Sequence, residues 1–358
     1  MRSRPMRAST TRKRVFAALL ACASWVVATP AAFAQSRTLV EIADYQGPDR
    51  LQKLIEGAHK EGSLSLYTSR VAEDTTPVIE AFTRKYGVEV TVWRGSNRAV
   101  LQRVVQERRA GRCAADVVSS GTPALEPLHR EQLLQAVRSP TLAELMPQAL
   151  SPHGEWAGIN INIISAAYNT NLVRPNEVPK SYADLKDPRW RGRLSIEADD
   201  VDWFAAVVGK LGEAAGLQLF RDIVRTNSPS TRSGHTLIAN MVAAGEIPLA
   251  LTVYSYKPDQ LARAGAPIRT LYLAPVIALA TGVSITRCAT RPHAALLFHE
   301  FMLRDGQEIL AKRDIAPTNQ KVKPLPEGLE ITMMDPNEML DHGTKWSELW
   351  HKTVIRPQ

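Results

Sequence analysis

Ser63-Leu64-Ser65-Leu66-Tyr67 and Val88-Glu89-Val90-Thr91-Val92-Trp93 both alternate apolar and polar side chains, while Val78, Ile79, Phe82 and Tyr86 between them recur at helical spacing. Alternation puts every second side chain on one face of a strand, and a recurrence of three and four puts them on one face of a helix. Gly87 closes the helix. Upstream, Leu51, Leu54, Ile55 and Ala58 form another helical face that stops at Gly62. Downstream, Val100, Leu101, Val104 and Val105 build a helix ended by Gly111, and Ala115 to Val118 reads as a short buried strand. Thr122 and Pro123 suit the cap and first position of the next helix. Strands that alternate with helices predict a parallel sheet covered by helices. Ligands of such sheets sit beyond the carboxyl ends of the strands. That rule selects Ser69 and Arg70 after the first strand and Ser120 and Gly121 after the third, against the equal alternative that these are ordinary turn residues.

Further on, Trp156 to Asn169 reads as a strand and a second extended stretch, and the pattern then starts again. Leu194 to Ile196 and Pro248 to Val253 are predicted strands; Trp203 to Leu211, Ala214 to Val224 and Gly234 to Ala244 are predicted helices. The apolar run Ala274 to Ile285 reads as a strand returning to the first unit. Ala294, Leu297, Phe298 and Phe301 build a helix that Gln307 to Leu310 continues. Trp346 and Trp350, four apart, suit a helix packed on a lobe better than a partner-binding stripe. The expectation is an α/β chain in two lobes, each a mostly parallel sheet flanked by helices. Residues 35–167 and 280–358 form the first lobe and 168–279 the second.

The N-terminus reads as an address. Arg2, Arg4, Arg7, Arg12, Lys13 and Arg14 precede the apolar run Val15 to Val27, and Ala32-Phe33-Ala34 offers a cleavage pattern. Ser24 and Pro30 interrupt the run before it reaches the roughly 20 residues a membrane span needs. Residues 1–34 are therefore expected to be a signal peptide, and the mature protein to be periplasmic. Loss of six basic residues takes the formal net charge from +8 to +2, so the basic pI does not argue for nucleic acid. Arg103, Arg108, Arg109 and Arg112 suit a solvated helix face. The 324 remaining residues of the 358 are too many for one ordinary core. Only Cys113 and Cys288 remain, with no Cys-x-x-Cys or Cys/His cluster for zinc or redox chemistry. His299-Glu300 lacks the second histidine of a zincin, and no nucleophile elbow, Walker or dinucleotide-binding pattern is present, which argues against an enzyme.

Pro179-Lys180-Ser181-Tyr182-Ala183-Asp184-Leu185-Lys186-Asp187-Pro188-Arg189-Trp190-Arg191-Gly192 resembles a segment of bacterial extracellular solute-binding proteins, in particular the branch that includes periplasmic ferric-ion-binding proteins. Residues 158–164, Ala167-Tyr168-Asn169-Thr170, Ala244-Gly245-Glu246 and the run from Asp305 to Leu310 follow in the family's order. The resemblance implies a type II periplasmic binding fold, with two crossing segments as a hinge and a clamp that closes on a small solute. It implies an inner-membrane ABC permease as partner, a monomer, and no cofactor beyond a bound ferric ion. The same clamp could serve a signalling receptor. If residues 282–286 return antiparallel beside 115–118, as the family's topology implies, Cys113 and Cys288 come within reach of a disulfide; the alternative is two buried thiols.

Ferric-binding members of the family use two neighbouring tyrosines with a first-lobe histidine and carboxylate, donors that suit a hard trivalent ion. Here Tyr256 matches one tyrosine position, Ser255 takes the other, and Tyr254 is displaced by one. The first-lobe loops hold Ser69, Arg70, Ser120 and Gly121 instead of histidine and carboxylate. In the second lobe, Asp199 and Asp200 lie where a strand gives way to a helix, and His235 opens the next helix. Arg70 suits a carboxylate or phosphate, and the two aspartates suit a cationic or hydroxyl-bearing end. The expected ligand is a polar organic molecule, with a ferric ion or iron complex as the alternative.

Overall fold

The computed structural model describes residues 39–322 and 328–356, so the expected leader lies outside the described residues. The first lobe runs α1 (Arg50–Glu61), β1 (Ser63–Thr68), α2 (Ala72–Tyr86), β2 (Glu89–Arg94), α3 (Asn97–Arg109), β3 (Val117–Gly121), α4 (Thr122–Arg130) and β4 (Leu134–Gln135). β1 pairs in parallel with β2 and with β3. The helical apolar positions bury as their spacing requires: Leu54, Ala58, Val78 and Phe82 are within 3 % of full burial and share one cluster with Leu64, Leu66 and Phe298. β3 reaches past Val118 to Gly121, with Ser119 and Ser120 buried inside it. Its central place between β1 and the returning strand Val276–Thr286 buries polar residues that read as a loop.

β5 (Ala157–Asn169) is one continuous strand rather than two stretches. The second lobe follows with β6 (Leu194–Glu197), α5 (Val201–Leu211), α6 (Glu213–Asn227), β7 (Ser230–Arg232), α7 (His235–Ala244), β8 (Leu249–Tyr254), α8 (Tyr256–Arg263) and β9 (Ile268–Leu271). β6 is parallel to both β7 and β8. Trp203, Phe204, Phe220, Tyr182 and Trp190 fill a separate core, each large side chain contributing roughly 1.5–3 kcal/mol through burial. The chain then returns through β10 (Val276–Thr286), α9 (Pro292–Leu303), α10 (Asp305–Ala311), β11 (Ala316–Pro317), β12 (Ile331–Met333) and α11 (Pro336–Trp350).

β5 and β10 pair antiparallel, and they are the two crossing segments. Ile159, Val283 and Ile285 belong to the first core, whereas Ile164, Ala166, Ile277 and Leu279 belong to the second. One sheet therefore runs through both lobes in the order β2-β1-β3-β10-β5-β8-β6-β7. Gly282 lies at a register shift in this pair, where a Cβ would meet Leu125 Cδ1 at 2.7 Å and the Ala157 carbonyl oxygen at 3.1 Å. Opposite, β10 is antiparallel to β3, with Ile285 against Val117, and Cys113 and Cys288 form a disulfide across a Cα separation of 5.7 Å.

Two expectations need correction. The predicted helix over Ala294 to Leu310 is broken at Arg304 (φ −128°, ψ −87°) into α9 and α10. The tail, expected with the first lobe, buries Trp346, Trp350 and Val354 in the second lobe's core, with Trp350 at 5.3 Å from Phe204. Its contact with the first lobe is polar: Arg130 meets Asp341 at 2.6 Å and Asn337 at 2.8 Å.

Candidate functional site

β6 ends in Glu197, and the short link to α5 faces the start of α7. Glu197 accepts the Gly234 amide at 2.8 Å and the Asp199 amide at 2.6 Å. Its own amide donates to Thr252 on β8. Gly234 has φ +104°, a conformation that a side chain would strain, and this turn aims its amide at Glu197. His235 Nε2 lies 3.3 Å from Asp200 Oδ1, and both side chains are mostly buried, at 15 and 9 % exposure. Ligand atoms of Glu197, Asp200 and His235 all fall within 4.8 Å of one another. Asp200 Oδ2 and His235 Nδ1 are buried without a hydrogen-bond partner among the described residues. Tyr254 lies against the imidazole, with ring centroids 4.1 Å apart, and Tyr256 stacks nearly parallel to Tyr254 at 6.3 Å.

The electrostatics follow from crowding acids in a poorly solvated place. Burial, then the charge of Asp200, raises Glu197 above the usual carboxylate range. Burial and Asp200 likewise push Asp202 up to about 7. Burial pulls His235 down, but Asp200 and Glu197 outweigh it, so the imidazole is held above its ordinary value. Burial, followed by Asp200, raises Tyr254 well above the usual phenol range. A cation placed among these groups would relieve all the acidic ones together.

The first lobe offers the opposite character. Ser120 donates to Asn97 Oδ1 at 2.9 Å, and the Gly121 amide donates to the same oxygen at 3.1 Å. Ser69 and Ser120 hydroxyls are 3.2 Å apart. Arg70 donates to Asn160 on β5, and a row of buried amides continues through Asn162 to Thr281 on β10. Among the described residues the Arg70 guanidinium has no carboxylate within ion-pair distance. Burial lowers its affinity for the proton, against the nearby Tyr256 and Asp74. Tyr256 thus stands between the lobes, beside Arg70 and Asp74 on one side and Tyr254 on the other.

The sequence-selected residues fall into these two groups, Ser69, Arg70, Ser120 and Gly121 in the first lobe and Asp200, His235 and Tyr254 in the second, with Tyr256 bridging. Asp199 does not join them: its side chain is exposed, and it serves the site through its backbone amide. Trp203, at the start of α5, is part of the second lobe's core and not of the site. Sequence reasoning missed Glu197, Asn97, Asn160, Asn162 and Thr281. The alternation of Asn160 and Asn162 within an apolar strand was the available signal for one polar face.

A family model described as bacterial extracellular solute-binding protein matches residues 114–340. The Fe(3+)-binding periplasmic protein of Serratia marcescens is 27 % identical over 208 residues, spanning 57 % of this chain and 60 % of that protein. Iron uptake protein A1 of Synechocystis is 25 % identical over 288 residues, spanning 75 % of this chain and 78 % of its own length. In fold, iron-bound HitA from Pseudomonas aeruginosa superposes with a TM-score of 0.70 at 23 % identity, over 80 % of this chain and 97 % of HitA. AfuA from Actinobacillus pleuropneumoniae, with fructose-6-phosphate bound, gives 0.73 at 21 % identity, over 83 and 99 %. With a two-lobed α/β architecture and a family match over most of its length, the chain belongs to the bacterial extracellular solute-binding proteins.

Proposed function

We propose that this protein is the periplasmic receptor of an ABC importer, and that its cargo is ferric iron or a ferric complex held in the cleft. The observation that carries the reading is the Glu197–Asp200–His235 cluster, whose donor atoms lie within 4.8 Å while Asp200 Oδ2 and His235 Nδ1 remain unpartnered. Carboxylate, imidazole and phenol oxygen are donors that a hard trivalent cation accepts. Tyr254 and Tyr256 stand beside the cluster. In this reading the histidine and carboxylates come from the second lobe, not the first. The relatives named for ferric iron and for iron uptake support it. Closure follows from population shift: a cargo that touches both lobes favours the closed form, which a permease can distinguish from the open one.

Arg70 favours a second reading, a polar organic solute with an anionic end. Its unneutralised guanidinium and the Ser69 hydroxyl are suited to a carboxylate or phosphate, and the related fold of AfuA holds a sugar phosphate. Native mass spectrometry with metal analysis, on protein purified gently from periplasm, separates the two. Stoichiometric iron in the wild type that is lost in Tyr256→Phe and Asp200→Asn supports the iron reading. An organic mass without metal overturns it in favour of the second.

A further inference from the structure

Away from the cleft, Glu126 and His129 stand three residues apart on α4, so that one helical turn presents both to the same side. His153 reaches them from the turn that leads into β5. Its Nε2 lies 3.3 Å from Glu126 Oε2, and ligand atoms of all three residues lie within 4.8 Å of one another. Neighbouring ligands about a tetrahedral zinc, each at roughly 2.0–2.1 Å from the ion, are themselves about 3.4 Å apart. Behind them stands a supporting shell. His129 Nδ1 and Glu155 Oε2 are 2.8 Å apart, and Arg287 holds the other Glu155 oxygen at 2.7 Å. A carboxylate on one imidazole nitrogen fixes the ring and leaves the other nitrogen's lone pair for a metal. Glu126 is 8 % exposed and is steadied by the Trp156 indole N–H at 3.1 Å; His129, at 30 % exposure, leaves the group open to solvent.

We propose that Glu126, His129 and His153 form a second cation site, separate from the cleft, for a divalent metal of borderline softness such as zinc. Two imidazoles and one carboxylate are the donors such an ion prefers, with water in the fourth position. Without metal the two rings stack face to face, with centroids 3.5 Å apart and planes 6° from parallel. The Glu155 amide donates to His153 Nδ1, which leaves the proton of the neutral ring on Nε2, facing Glu126. On loading, the metal takes the place of that proton, Nδ1 becomes the protonated nitrogen and gives up the amide bond, and one ring rotates about Cβ–Cγ out of the stack. The bound ion ties α4 to the turn at residues 151–155 and so braces the entry to a crossing strand.

The test is zinc titration of the full mature chain, followed by calorimetry and thermal melting, with cobalt(II) as a visible probe of tetrahedral coordination. His235→Ala is used to disable the cleft cluster. The expected result is one zinc equivalent bound by His235→Ala, with a raised melting temperature and tetrahedral cobalt absorption. Binding falls at least tenfold in His129→Ala and in Glu126→Gln, and vanishes in His153→Ala, while the melting temperatures of the metal-free variants stay near that of the parent. Zinc that disappears with His235→Ala, or that survives His153→Ala unchanged, overturns the proposal without bearing on the cargo of the cleft.

Discussion

His299→Leu is expected to flatten the acid side of the stability profile. His299 sits on α9 with 2 % exposure, inside the first lobe, and its Nδ1 has no partner among the described residues. Burial, only partly offset by Glu300, lowers its pKa from 6.5 to about 4. In the unfolded chain the ring takes up a proton as the pH falls through 6.5, while the folded protein holds it neutral down to about 4. The unfolded state therefore binds more protons throughout that window, and stability falls as the pH falls. A pKa difference of this size corresponds to about 3 kcal/mol, lost progressively between those two values and constant outside them. The assay is urea unfolding of wild type and His299→Leu at several values from about pH 7.5 to about pH 4. Other titrating groups act on both proteins alike, so the informative quantity is the difference between them. That difference should shift by about 3 kcal/mol in favour of leucine on acidification. A difference that stays constant with pH would refute the reasoning, whatever its size at neutral pH.

Other outcomes follow from single contacts. Cys113→Ser with Cys288→Ser removes a cross-link between positions 175 apart, for which chain entropy sets an upper loss of about 5 kcal/mol; reduction should lower the urea midpoint of wild type and leave the double variant unchanged. Asn97→Ala strips the Ser120 hydroxyl and Gly121 amide of their shared acceptor and should cost about 2–3 kcal/mol in urea unfolding, whereas Asn97→Asp, which keeps an acceptor oxygen, should cost less. Trp350→Phe leaves a small cavity at a fully buried position and loses the 2.9 Å bond from the indole to the Ala198 carbonyl, between Glu197 and Asp200. It should lose about 2–3 kcal/mol of stability and weaken cargo binding several-fold by calorimetry.

The first lobe was legible because its strands and helices bury one face each, so period two and period three to four survive in the sequence. What failed had physical reasons. Tyr256–Arg263 is a helix whose opening Tyr256-Lys257-Pro258 hides the pattern, and proline is tolerated in a first turn. The lobe that Trp346 and Trp350 enter depends on contacts with Phe204 far along the chain, which spacing cannot encode. In the second lobe, reading the helix starts named Asp199, Asp200 and His235 and passed over Glu197. Glu197 reads as the last residue of a strand, and only the fold brings it the Gly234 amide beside the Asp199 amide of its own link. The first-lobe residues Ser120 and Gly121 read as a loop but end β3, and the asparagine that consumes the Gly121 amide lies on a different element.

The pairing of β5 with β10 makes the hinge a ribbon rather than two loose threads. In the proposed function the lobes swing about this ribbon, and with its ladder intact a change of twist is the motion left to it. The β5–β10 ladder has one irregular point, between Thr281 and Gly282, and β5 has another on its opposite edge, between Ser165 and Ala167 against β8. A ribbon of this kind acts as a torsion spring with a resting angle. In the proposed function, cargo that closed the cleft would work against that spring and store part of its binding free energy in the ribbon. In that reading affinity is tunable from Gly282, which is crowded by Leu125 and the Ala157 carbonyl, through the stiffness of the ribbon.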